Sequence, residues 1–125
     1  MQEKKTALIA GASGIVGRGI AERLVGDGWR VLCASRSGGG HLPGTEGVAV
    51  DLLDAEACAR AVAPHAGITH VFHAAFQPAP SRAAEVAPNL AMLRNVVEAV
   101  QQASPVMFTL SAVTTSRSAW ARKSG

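Results

Sequence analysis

Residues 11 to 17 read Gly11-Ala12-Ser13-Gly14-Ile15-Val16-Gly17, a GxxGxxG pattern set between an apolar run and a helical pattern. In that setting each glycine has its own task. The first permits a tight turn, the second lets backbone approach a pyrophosphate, and the third lets a helix pack close to a strand. The unpaired amides that open the helix then face the phosphates. The other reading of such a triplet is a merely structural turn.

Ser35-Arg36-Ser37 follows at the end of a second apolar run. A site for NAD carries Asp or Glu about 20 residues after the glycine loop, to hydrogen-bond the ribose 2′-hydroxyl. Here a serine and a guanidinium stand instead. Arg offers a planar fork of donors to phosphate oxygens, and no carboxylate is present to repel them, so the pair suits the 2′-phosphate of NADP. The alternative is a solvated surface arginine. Asp51 closes a third run, where it can accept from an adenine amino group with Leu52 against the ring, or serve only as a turn residue. Ala74, Ala75 and Phe76 follow His73 at the end of a fourth run, and the small side chains leave room for a ribose. His73 is a possible cofactor contact but not a catalyst; His41, His65 and His70 read as loop or surface histidines.

These residues need a scaffold that brings strand ends together. Strands are expected at Thr6–Ala10, Arg30–Ser35, Val48–Val50, Ile68–His73 and Val106–Leu110. Val16, Ile20 and Leu24 mark one face of a first helix, closed by Gly26 and Gly28. Asp54 caps a second helix running to Val62. A third helix starts at Asn89, with Leu90, Leu93, Val97 and Val100 facing the sheet. Strand, glycine turn, helix and strand in the first thirty-odd residues form a βαβ unit, so the sheet is expected to be parallel. The fold class is α/β, a doubly wound Rossmann-type sheet of about five strands.

Composition agrees with this architecture. Of 125 residues 48% are hydrophobic and only 4% aromatic, which suits buried parallel strands and small-faced helices better than an antiparallel sheet. The net charge of +3 is spread without clustered Lys and Arg, which argues against a nucleic-acid partner. The apolar stretch from Ala7 to Val16 is interrupted by Arg18 well short of the roughly 20 residues of a membrane span, so a cytoplasmic protein without a membrane partner is expected. Cys33 and Cys58 have no metal-ligand spacing and read as buried thiols. No metal is assigned.

From Thr6 to about Ala103 the chain resembles the short-chain dehydrogenase/reductase superfamily in its extended and atypical, NAD-dependent epimerase/dehydratase-like forms. The glycine loop, Ser35-Arg36, Asp51-Leu52, Thr69-His70-Val71-Phe72-His73 and the stretch from Asn89 to Val100 carry the likeness. Gly14-Ile15-Val16-Gly17, Thr69-His70-Val71-Phe72 and Met92-Leu93-Arg94-Asn95-Val96 look most like the progesterone 5β-reductase and iridoid synthase group. The resemblance implies a strand order of 3-2-1-4-5, NADP as cofactor and hydride transfer from NADPH to a carbonyl or enone. It also implies a catalytic tyrosine and lysine beyond the fifth strand, the tyrosine hydroxyl giving a proton and the lysine lowering its pKa. This chain has no tyrosine. Its lysines are Lys4, Lys5 and Lys123, and none matches the family's pair.

The expectation is therefore an NADP-binding half-domain over residues 1–110 and a divergent, poorly ordered tail over 111–125, with Ser111 a tail serine and the fold incomplete after the fifth strand. The fifth strand is expected to leave an open sheet edge that promotes self-association. A small-molecule substrate is expected only if the fold is completed. A non-catalytic NADP-binding or redox-sensing module is the alternative. A Rossmann-like S-adenosylmethionine site is weaker, because Ser35-Arg36 offers no carboxylate for a ribose diol.

Overall fold

The computed structural model describes residues 5–12, 14–38, 42–103 and 108–112. Five strands, β1 (Thr6–Ala10), β2 (Arg30–Ser35), β3 (Thr45–Ala49), β4 (His70–His73) and β5 (Thr109–Ala112), alternate with three helices. The helices are α1 (Ile15–Gly26), α2 (Ala55–Val62) and α3 (Arg82–Ala103). All strand pairs are parallel, in the order β3-β2-β1-β4-β5. Every residue of β1 is buried, as a central parallel strand covered on both faces requires.

Alternation along β1 divides the core in two. Leu8 and Ala10 face a layer built with Cys58 and Val62 of α2 and Met92, Val96 and Val100 of α3. Ala7 and Ile9 face the opposite layer, closed by Ala21 and Leu24 of α1. Helices thus cover both faces. The crossover from β1 runs towards β2, whereas those from β3 and β4 run the other way. Right-handed crossovers leaving in opposite directions put their helices on opposite faces, which opens a crevice where the directions diverge. That crevice lies between the C-terminal ends of β1 and β4.

β1 and β2 coincide with the sequence expectation, and α2 ends at Val62 with the Asp54 carboxylate accepting from Ala57 N at 3.0 Å. Elsewhere the structure corrects it. β3 starts three residues before Val48 and stops at Ala49, in register with Val31 to Ser35 of β2. β4 covers only His70–His73. α3 begins at Arg82, seven residues before Asn89, with Ser81 Oγ accepting from Ala84 N and Pro88 inside the helix. Its buried face is Met92, Asn95, Val96, Ala99 and Val100, so the expected face is rotated: Val100 is buried, Leu90 is exposed, and Leu93 and Val97 lie half-buried. α1 shows a smaller rotation, burying Gly17, Ala21 and Leu24 while Val16 and Ile20 are half-buried. β5 reaches Ala112, and Ser111 pairs with Phe72 as a strand residue rather than in a tail. Residues 106 and 107, placed in the fifth strand by sequence, and 113–125 of the expected tail lie outside the described residues.

Candidate functional site

The crevice is a cavity of about 520 Å³ at the C-terminal edge of the sheet, within the range of small-molecule clefts. Gly11 and Gly14 form its middle, Ser35, Arg36, Asp51 and Leu52 line one end, and Ala74, Ala75 and Phe76 line the other. Nine residues assigned from sequence therefore converge on one trough. Gly17, Ile15 and Val16 are not part of its lining; Ser13 lies outside the described residues. Sequence reading gave no role to five further lining residues, Ala34, Ser37, Val50, Gln77 and Met92. The only sequence signal for the first four is proximity to strand ends; Met92 has none, because it lies off the helix face read from sequence and on the face that the structure buries.

The glycine loop has the geometry its residue types require. Gly11 adopts φ +84°, and its amide donates to Ala34 O at 3.1 Å. A Cβ at Gly11 would stand 2.5 Å from Ala75 N, so the loop lies directly on the backbone after β4. At Gly17 a Cβ would collide with Gly11 O and Ala12 Cα, which fixes the close approach of α1 to the loop. Gly14 differs: its added Cβ meets only Gly11 O at 3.7 Å, an ordinary contact. Among the described residues, therefore, nothing crowds a Cβ at position 14, which opens onto the cavity.

Gly14 caps α1 without a side-chain hydrogen bond, and the first turn holds no acidic residue. The first amides of a helix lack intrahelical partners and carry the positive end of its dipole, so this end of α1 is a site for anionic oxygens. At the far end of the trough Arg36 is exposed and makes no ion pair among the described residues. Ser35 Oγ accepts from Gly38 N at 3.2 Å and lies 3.3 Å from Ser37 Oγ, so the turn holding Arg36 is fixed by its neighbours. Asp51 follows β3 and takes the turn role left open in the sequence, at a place that also borders the cavity. Its Oδ1 accepts from Leu53 N at 3.0 Å, closing a turn, while the exposed carboxylate still borders the cavity. The open amides at Gly14 and the guanidinium of Arg36 are donors that could hold phosphate groups at two points of the trough.

Leu52 is held from behind. Its carbonyl accepts from Asn95 Nδ2 at 2.8 Å and from Cys58 Sγ at 3.8 Å. Burial, with Asp54 and Asp51 adding to it, pushes the Cys58 thiol up to about 11, so this cysteine stays protonated and structural. His73 does not line the trough; it is buried, with Nδ1 lacking a partner among the described residues, and burial pushes its pKa down. His70 is half-buried, its Nδ1 sharing a 2.8 Å hydrogen bond with Thr69 Oγ1 and its ring edge-on to Trp29 at 4.6 Å.

Residues 7–118 match the model of the NAD dependent epimerase/dehydratase family. A short chain dehydrogenase from Burkholderia cenocepacia, solved in complex with NADP, is 25% identical, with a TM-score of 0.68 over 92% of this chain and 55% of that one. A uronate dehydrogenase from Agrobacterium tumefaciens, a point mutant solved with NAD, is 28% identical, with a TM-score of 0.62 over 80% of this chain and 37% of its own. UDP-N-acetylglucosamine 4-epimerase from Bacillus cereus shares the fold at 18% identity, with a TM-score of 0.70 over 93% of this chain and 38% of its own. The chain thus spans between about a third and a little over half of the length of these proteins. No protein of curated function matches it.

Proposed function

Because the chain belongs to the NAD-dependent epimerase/dehydratase family, we propose that its trough binds NADP(H) and that the protein's chemistry is hydride transfer to a carbonyl or enone. The observation that carries this reading is one continuous cavity joining an acid-free helix start at Gly14 to an acid-free strand end at Ser35 and Arg36. The amides opening α1 hold the pyrophosphate, Ser35 and Arg36 hold the 2′-phosphate, and Leu52 lies against the adenine, whose amino group donates to the Asp51 carboxylate. Ala74 and Ala75 leave room for the second ribose. The bound dinucleotide supplies the hydride; these residues bind it, orient it and decide between its phosphorylated and unphosphorylated forms.

The two related dehydrogenases were solved one with NADP and the other with NAD, so cofactor choice rests on this chain's own residues. Calorimetric titration tests it. Wild-type protein prefers NADPH to NADH, and Arg36→Ala weakens NADPH binding by roughly 1–3 kcal/mol, as expected for hydrogen bonds to a charged group, while NADH is nearly unaffected. Equal affinities in the wild type, or equal losses in the variant, overturn the assignment.

A second reading is that these 125 residues, none of them tyrosine, bind NADP(H) and by themselves turn over no substrate. Positioned acid catalysis contributes about 10²–10⁴-fold, and no tyrosine of this chain can supply it. The loaded chain then retains NADPH and does not oxidise it with cyclic or linear enones at an enzyme's rate. Rapid consumption would require another proton donor and would overturn this second reading.

A further inference from the structure

Helix α3 does more than cover the sheet. The Asn89 side chain accepts from Gln77 N at 2.8 Å through Oδ1 and donates to Gln77 O at 2.9 Å and Glu85 O at 2.7 Å through Nδ2. The amide therefore pairs with both backbone groups of Gln77, as a neighbouring strand would, at the point where the chain leaves β4 and lines the trough. Two turns along the same helix, buried Asn95 donates to Leu52 O in the opposite wall. Met92, between them in sequence, reaches the cavity. One rigid helix thus holds both walls by their backbones.

We propose that Asn89 is a positioning residue that fixes the wall after β4 for the nicotinamide half of the cofactor, with Asn95 fixing the adenine-side wall, so that α3 sets the spacing between them. The inference rests on the reading of the trough as an NADP(H) site. With strand order β3-β2-β1-β4-β5, an adenosine end over β2 and β3 places the other end of the dinucleotide over β4. The loop of residues 74–80, three alanines and two prolines with Phe76 and Gln77, has only one polar side chain to hold itself, and an external amide that satisfies both backbone groups of Gln77 removes its freedom before the cofactor arrives.

Two measurements test this on the full chain. Amide hydrogen exchange reads the clamp without any cofactor: Asn89→Ala accelerates exchange at Gln77 and leaves Ile9 in β1 unchanged. Titration reads its consequence: Asn89→Ala weakens NADPH binding by roughly 3- to 10-fold, the equivalent of one net hydrogen bond, and leaves 2′,5′-ADP, which lacks the nicotinamide half, at wild-type affinity. Asn89→Asp keeps the acceptor for Gln77 N and loses both donations, so it gives intermediate exchange and intermediate loss, and it stands in if the alanine variant does not fold. Unchanged exchange at Gln77 overturns the clamp. Equal losses for NADPH and 2′,5′-ADP, or no loss for either, overturn the positioning role. Wild-type protein that binds neither ligand yet shows the exchange effect removes the cofactor reading, and the proposal with it, while leaving the clamp as a structural contact.

Discussion

At the scale of single residues, three glycines with the same sequence signature have different reasons to be glycine. Gly17 has backbone where a Cβ would go, whereas Gly14 has room on the protein side. Gly14→Val is therefore expected to fold and to lose NADPH binding, while Gly17→Val is expected to lower the melting temperature sharply through overpacking against Gly11 and Ala12. Circular dichroism melts with parallel titrations check the pair; a Gly14 variant that binds normally would move the dinucleotide elsewhere. His73 sets a pH dependence. Its folded pKa lies below the ordinary value of about 6.5 because burial disfavours the charged form. The unfolded chain takes up the proton first, so this stability is fully present above about pH 6.5 and is lost as pH falls towards the folded-state pKa. Denaturant melts from about pH 7 down to about pH 5 should show falling stability, with most of the slope removed in His73→Leu. His70, pushed down by burial and then by Lys5, contributes in the same sense. A slope unchanged in His73→Leu would place its source elsewhere.

At the scale of elements, α1 holds a conflict between stability and binding. Ile15 opens the helix 93% exposed, in a first turn without an acid. An aspartate there complements the dipole and is worth about 0.3–1 kcal/mol, yet the same charge repels a pyrophosphate at the helix start. Ile15→Asp should therefore unfold at a higher temperature and bind NADPH more weakly, with the binding loss shrinking in high salt. Movement of both quantities in the same direction would show that the helix start does not meet the phosphates. In α3 the buried stripe falls on Met92, Asn95, Val96, Ala99 and Val100, leaving Val86 63% and Leu90 59% exposed. A polar residue on the inner face outcompetes leucines on the outer one because its amide satisfies Leu52 O, a buried carbonyl that would otherwise cost about 1–3 kcal/mol.

At the scale of the whole molecule, β5 pairs only with β4 among the described residues, and Leu110 on it is 42% exposed. An open parallel edge with an apolar side chain is a template for a further strand. Sedimentation velocity of the 125-residue chain should show concentration-dependent association that Leu110→Lys reduces. A strictly monomeric species at high concentration would contradict this.

The sequence by itself determined the βαβ start, the parallel sheet and the trough's main residues. Glycine spacing, strand ends and the missing acid at Ser35 are local facts that need no partner to be read. Tertiary structure alone decided which faces turned inward. In α3 Leu90 lost to Asn95 and Ala99, because the close approach of α2 and the demand of one carbonyl outweigh hydrophobicity counted along the helix. The early start of α3 was hidden by Pro88, which usually ends a helix but here sits inside one capped by Ser81. Asn89 was visible as a residue and invisible as a clamp, since its partner Gln77 is twelve positions away and only the fold brings the two within 2.8 Å.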